Sequence, residues 1–142
     1  MRKAIMRLSR DRGGTSAIEF AFIAPILLLL IFGMIGFGYV FGVYHGIQQI
    51  ASEAARSSVA GLNDAEREQI ARDFVTAHAS SYAFIDAARI RVTTTHSGPP
   101  QQAFVVAVAY DMSGSLYETL STLVNLPQPL IERRAVIQRG GY

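Results

Sequence analysis

An uninterrupted apolar run from Ala21 to Val43 constrains this chain more than any other feature. The run has no charged residue, and at about 1.5 Å per residue a helix of this length covers about 34 Å. A bilayer hydrocarbon core is about 30 Å thick, so the run can cross it with modest tilt. The sequence therefore predicts a membrane helix that has lipid as one of its partners.

Basic charge is concentrated ahead of this run. Residues 1–14 form a leader with five basic residues, whereas from Glu53 onward eight arginines face nine acidic residues. The positive-inside rule then predicts a single-pass protein with a cytoplasmic N terminus and an exported C-terminal portion. The nearly neutral remainder argues against a nucleic-acid partner, and the absence of cysteine excludes a disulfide framework.

A carboxylate stands at the edge of the predicted membrane helix, because Glu19 and Phe20 directly precede the apolar run. An acidic residue at the bilayer centre costs about 2.5–3.5 kcal/mol, so it normally has a partner or a shallow position. One interpretation places Glu19 among headgroups near Arg10 and Arg12. The other gives it a partner inside the membrane, and the residue alone does not decide between them.

The order of these residues resembles the processing site of type IV pilin-like proteins. A basic leader ends at Gly14, Glu19 follows five residues later with an aromatic residue behind it, and then the long apolar helix begins. From residue 12 to residue 61 the chain is similar to the TadE family of pseudopilins. The resemblance implies that a prepilin peptidase cuts after Gly14, which makes Thr15 the mature N terminus.

The same resemblance implies a function. Glu19, next to Phe20, would neutralise the new amino terminus of a neighbouring subunit. The implied partners are the peptidase, other pilin-like subunits and pilus assembly proteins of a tight-adherence (Flp-type) pilus or a related envelope secretion system. The implied location is the bacterial inner membrane, and an envelope filament is a second possible location.

Small residues and one proline mark the membrane helix. Gly38, Gly42 and Gly46 recur every four residues, which places them on one helix face and predicts close contact with another helix. Glycine is also common in membrane helices without such a contact. Pro25 lacks a backbone N–H and is expected to kink or open the helix, and in pilin-like proteins such a proline accompanies partial melting during assembly.

The predicted organisation is a membrane helix over residues 15–44, a helical extension over 45–60 and an exported α+β domain over 61–142. Apolar residues at spacings of three and four support the extension, and Gly61 is expected to end it. Asn63 and Glu66 form a capping pattern for a second helix over 64–80. Alternation predicts a strand near Ile90–Val92, and an apolar β-rich run predicts another over 103–110, with a turn at 97–100 between them. Helical spacing predicts a short helix over 116–124, and residues 131–139 are compatible with a last strand.

No catalytic residue, cofactor site or metal site is predicted. His45, His78 and His96 are isolated from other ligands, Ser113 lacks the context of a nucleophile, and Asp111 is expected to cap the turn that follows it. Asp86 and Glu118 are not paired for acid–base chemistry, so the sequence predicts a protein that is not an enzyme.

Three alternatives remain open at this point. The first is an uncleaved single-pass scaffold or anchor that binds envelope proteins through Gly38, Gly42 and Gly46. The second is a small ligand-binding domain on a membrane tether. The third treats the N terminus as an ordinary secretory signal, although the apolar run is longer than the 7–15 residues typical of one.

Overall fold

A computed structural model of the protein describes residues 12–98, 103–114 and 116–138. These residues form an α+β fold with one three-stranded antiparallel sheet, as predicted. Two short 3-10 turns, Ala79–Ser81 and Ala87–Arg89, connect the second helix to the sheet. The helices are α1 (Arg12–Ser58), α2 (Asp64–His78) and α3 (Leu116–Ser121), and the strands are β1 (Ile90–His96), β2 (Ala103–Asp111) and β3 (Leu130–Gln138).

Helix α1 joins the predicted membrane helix and its extension in one continuous element. Pro25 lies inside α1, and helical conformation continues on both sides of it. The helix ends at Ser58, two residues before the predicted end, and a turn follows. Every member of the predicted apolar stripe in the extension is buried, namely Ile47, Ile50, Ala51, Ala54, Ala55 and Ser58.

Gly61 has a different role from the predicted one. Among the described glycines a positive φ occurs at Gly114 and not at Gly61, so Gly61 is not a left-handed helix cap. A Cβ on Gly61 would lie 2.6 Å from Cγ and 2.8 Å from the backbone N of Arg67. The Arg67 Nε also donates to the Gly61 carbonyl at 2.9 Å. Glycine is therefore needed because the first turn of α2 approaches the chain closely.

Helix α2 begins with the predicted cap. The Asn63 Oδ1 accepts a hydrogen bond from the Glu66 N–H at 2.9 Å, and the Glu66 Oε2 accepts one from the Leu62 N–H at 2.8 Å. These bonds satisfy backbone donors that the helix cannot satisfy internally. The α-helix ends at His78, and the 3-10 turn that follows extends to Ser81.

The sheet has β2 at its centre, paired with β1 on one side and β3 on the other. Alternate residues of β2 are buried against the helices: Phe104, Val106, Val108 and Tyr110. Helix α1 lies along β2 and β3, and α2 lies between α1 and β1. The predicted hairpin and last strand are thus confirmed. Residues 99 and 100 of the predicted turn and Arg139 of the predicted last strand lie outside the described residues.

Candidate functional site

The N-terminal half of α1, from Gly14 to Ile35, is not covered by the rest of the protein and is named here the bare half. From Gly14 to Ile35 no residue is buried, and the exposed side chains there are apolar except near the start. The helix is long and apolar enough to span a membrane. This surface, together with the residues at its start, is the candidate site.

Gly14, Thr15 and Glu19 all lie on exposed helix surface. A Cβ on Gly14 would meet no atom within 4 Å, and Phe20 is 68% exposed beside Glu19. None of the described side chains forms an ion pair with Glu19. The side chains of Arg10 and Arg12 are outside the described ones, so the headgroup interpretation of Glu19 stays a prediction.

The three regularly spaced glycines have different surroundings. Gly38 is exposed, and a Cβ there would meet nothing within 4 Å. A Cβ on Gly42 would lie 3.5 Å from Cδ2 of Phe84, and one on Gly46 would lie 2.5 Å from Cδ1 of Ile85. The structure therefore turns Gly42 and Gly46 toward the protein's own C-terminal domain and leaves Gly38 on open surface.

The C-terminal domain covers α1 from Gly36 onward. A Cβ on Gly36 would lie 3.1 Å from Cδ2 of Leu126, and Tyr39, Val40 and Val43 are buried. The core therefore begins inside the predicted membrane segment 15–44 and well before the predicted domain boundary at residue 61. Sequence reasoning missed this because lipid and a protein core both select apolar residues, so a helix that is apolar all round carries no signal of the change.

One exposed aromatic residue near this contact has unusual backbone geometry. Phe84 has φ 66° and is 61% exposed, and its ring lies edge-on to the Tyr39 ring with the centroids 5.6 Å apart. Positive φ is costly for a bulky side chain. The buried Tyr110 hydroxyl helps to hold this loop, since it accepts from the Asp86 N–H at 3.3 Å and donates to the Phe84 carbonyl at 3.4 Å. Burial raises the pKa of the Tyr110 hydroxyl.

Three carboxylates of the domain that were considered in the sequence analysis, Asp86, Asp111 and Glu118, stabilise local turns. The Asp111 Oδ1 accepts from the Ser113 N–H at 2.9 Å, which confirms the predicted cap, and the hydrogen bonds from Ser113 lower the pKa of Asp111. The Glu118 carboxylate accepts from the Gly114 N–H at 2.7 Å, and that of Asp86 accepts from the Ala88 N–H at 3.0 Å.

The histidines lie apart from one another. His78 stacks on Phe74 with the ring centroids 4.4 Å apart, and its Nδ1 lies 3.0 Å from the Phe74 carbonyl oxygen. His45 and His96 are exposed at other places on the domain. Among the described residues no group of three or more histidines and carboxylates is arranged to hold a metal ion.

The fold and the bare helix together define a class: an α+β domain folded onto the second half of an N-terminal helix, whose first half is long and apolar enough to span a membrane. Residues 14–56 match the family model described as TadE-like protein, so this part of α1 is similar to that family. The resemblance seen in the sequence is confirmed over these residues, and it suggests a role related to the Tad pilus. No curated protein and no solved structure matches the chain.

Proposed function

We propose that this protein is a minor pseudopilin that a prepilin peptidase cleaves after Gly14 and that acts in assembly of a tight-adherence pilus or related envelope secretion system. The observation that carries the proposal is the family match, which begins at Gly14 and follows α1 to residue 56. The match therefore starts at the residue where cleavage is expected and includes the whole bare half of the helix. The protein is the substrate of an enzyme and performs no catalysis itself.

The surroundings of Gly14 support cleavage at this position. The residue is exposed and no other atom approaches the place of its missing side chain, so the domain does not require a glycine there. A peptidase channel that admits only a residue without a side chain would require one. The basic leader ahead of it keeps the cleavage site on the cytoplasmic side, and the C-terminal domain is exported.

Glu19 is the proposed assembly residue. Its carboxylate projects from the bare surface, and a charge near hydrocarbon is costly unless it is paired. The new α-amino group at Thr15 of a neighbouring subunit would supply the opposite charge. Pairing would then favour a subunit that is inserted beside another one over an isolated subunit.

The bare half of α1 is the proposed surface for the other pilin-like subunits. No residue from Gly14 to Ile35 is buried, and the exposed side chains beyond Glu19 are apolar. Gly38 extends this surface with a point where another backbone could approach closely. Pro25 lies in the middle of this half, where a missing backbone hydrogen bond lowers the cost of local opening during assembly.

Cleavage is tested by co-expressing the full chain with the matching prepilin peptidase and measuring the intact mass and N-terminal sequence of the membrane-purified protein. We expect a terminus at Thr15 that is lost in Gly14→Val. Gly33→Val is the matched control, since Gly33 also lies on α1 with no atom within 4 Å of the added Cβ. A chain that keeps its leader in the presence of active peptidase contradicts the proposal and favours an uncleaved membrane anchor.

The role of Glu19 is tested separately in the cleaved protein. Glu19→Gln keeps the size and hydrogen-bonding capacity of the side chain but removes the charge, so pilus assembly should fail while the Thr15 terminus still forms. Assembly that persists in both Glu19→Gln and Glu19→Ala would exclude the charge-pairing role and leave the cleavage proposal in place.

A further inference from the structure

Residues 116–126 are named here the basal segment. They are the part of the C-terminal domain that contacts α1 closest to the bare half of that helix. Leu120 and Leu126 of this segment both lie within 4 Å of the Cβ position on Gly36. Between them the chain turns, with the Leu123 N–H donating to the Leu120 carbonyl at 3.1 Å. The basal segment is therefore adjacent to the first covered turn of the helix.

The outer surface of the basal segment exposes two leucines beside the polar residues Glu118, Thr119, Thr122 and Asn125. Leu123 is 51% exposed and Leu116 is 49% exposed, and the sequence from Met112 to Ile131 carries a single formal charge, at Glu118. Helix α2 at the other end of the domain is rich in charged residues. The basal segment, which faces the bare half of the helix, thus carries much less charge than α2.

The uncovered side of α1 is apolar at the same level. Phe37 and Phe41 are exposed there, and their ring centroids lie 6.3 Å apart. The exposed Phe84 is held against Gly42, also near this level. Exposed apolar groups of the domain and of α1 therefore lie near the start of the covered part of the helix, and they are named here the apolar belt: Phe37, Phe41, Phe84, Leu116 and Leu123.

The length of the bare half of α1 matches the thickness of a bilayer core, which places this belt at the membrane surface. From Thr15 to Ile35 the helix rises about 30 Å, which equals the thickness of a typical hydrocarbon core. The segment between the start of the bare surface and the first domain contact is thus just long enough to cross it. No length is left over to hold the basal segment away from the membrane surface.

We propose that the basal segment lies in the outer lipid interface, with Leu116 and Leu123 inserted among the acyl chains. This inference rests on the proposed membrane anchoring through α1. The proposed surface that covers the belt is lipid, because the belt directly follows the membrane-length bare helix and the basal segment has a single formal charge, at Glu118. One basic side chain stands just beyond it: the Arg133 guanidinium lies over the Tyr44 ring, 4.9 Å from its centroid, and tyrosine is enriched at the level of lipid headgroups.

A domain whose basal segment lies in the outer lipid interface would also fix the depth of Glu19 in the membrane. Glu19 precedes Gly36 by a helical rise of about 26 Å, so a basal segment at the outer edge of the core holds the carboxylate a few ångströms inside the inner edge. The domain acts as a stop against further movement of the helix toward the cytoplasm.

The chain has no tryptophan, so single tryptophans report their own depth. The full-length variants Leu123→Trp, Ile26→Trp and Leu62→Trp are reconstituted into phosphatidylcholine vesicles with or without brominated acyl chains, and quenching of emission is measured. Ile26 lies in the bare helix, and Leu62 is a leucine 90% exposed at the charged end of the domain. We expect strong quenching for Ile26→Trp and Leu123→Trp and none for Leu62→Trp.

The outcomes separate this inference from the proposed function. Quenching of Ile26→Trp without quenching of Leu123→Trp overturns the proposal that the basal segment lies in the lipid interface, but it leaves the proposed membrane anchor in place. If Ile26→Trp is not quenched, the anchor and the inference both fail. A blue-shifted Leu123→Trp that lipid does not quench indicates contact with another protein chain, which also overturns the inference. Leu116→Trp repeats the test if Leu123→Trp does not fold.

Discussion

At the scale of single residues, the glycines of α1 show how one residue type serves different purposes at equal spacing. Gly46 is buried where Ile85 fills the space that a side chain would need, and Gly38 lies on open surface two turns earlier. Glycine lowers helix stability by about 0.5–1 kcal/mol relative to alanine. At Gly46 that cost is offset by the close approach of the domain.

We expect Gly46→Val to destabilise the protein by about 1–3 kcal/mol, because the new side chain overpacks the contact with Ile85. Gly38→Val adds the same atoms on open surface and should change stability by about 0.5 kcal/mol or less. Thermal unfolding of the full chain in detergent, followed by circular dichroism, measures both. Equal effects of the two substitutions would show that the contact at Gly46 is not needed.

The raised pKa of Tyr110 predicts how the free energy of unfolding changes at alkaline pH. Its pKa is raised in the folded state because burial disfavours the phenolate, so its contribution is complete below the unfolded pKa of about 10. That contribution is lost as the pH rises through the folded pKa. We expect Tyr110→Phe to lower the unfolding temperature at pH 7, through the lost hydrogen bonds, and to show a smaller decrease above pH 10 than the parent protein. A parallel decline in both proteins would assign the alkaline sensitivity to another group.

At the scale of elements, α1 is a single helix with two environments. In its first half no residue from Gly14 to Ile35 is buried, and one side of its second half forms part of the core of the domain. The sequence is apolar in both halves as far as Val43. Removal of a similar side chain should therefore destabilise the domain in the second half of α1 and leave its stability unchanged in the first half.

We expect Ile47→Ala to destabilise the domain by about 2–5 kcal/mol, because Ile47 is fully buried and its removal leaves a cavity. Leu29→Ala removes a comparable side chain that is 63% exposed, so the domain should keep its unfolding temperature. The comparison uses detergent-solubilised full chain and thermal unfolding. A large loss of stability in Leu29→Ala would mean that the first half of α1 also has protein contacts within the chain.

At the scale of the whole molecule, the helix and the domain are one folding unit. The domain core draws on α1 through Tyr39, Val40, Val43, Ile47, Ile50, Ala51, Ala54 and Ala55, all of which are buried. The buried faces of the sheet and of α2 would be open to water without them. A boundary at residue 61, which the change of sequence pattern predicts, cuts through this core.

We expect a fragment of residues 61–142 to lack a cooperative unfolding transition and a fragment of residues 36–142 to have one. Both contain the whole sheet and α2, so the comparison isolates the contribution of α1. Urea denaturation and hydrogen exchange, each in mild detergent, distinguish the two results. Cooperative unfolding of the shorter fragment would show that the sheet and α2 suffice as a core.

The elements of this fold were largely predictable because they depend on local chemistry. The Asn63 and Glu66 cap depends on residues three apart, and the apolar stripe of the extension and the alternation in β1 each reflect a backbone period along the chain. The glycine and glutamate at the start of α1 were recognisable because their spacing resembles that of a family, and the match over residues 14–56 confirms the likeness.

What the sequence determined by itself is the presence of a membrane-length helix and the α+β class, since both follow from composition and period along the chain. The likeness of residues 14–56 to the TadE-like family was also visible in the sequence, as a resemblance. Only the tertiary structure decided where the domain meets the helix. Gly36, Gly42 and Gly46 contact Leu126, Phe84 and Ile85, which lie far away in sequence. An apolar surface satisfies lipid and a protein core equally well, so the choice between them depends on long-range contacts that no local pattern records.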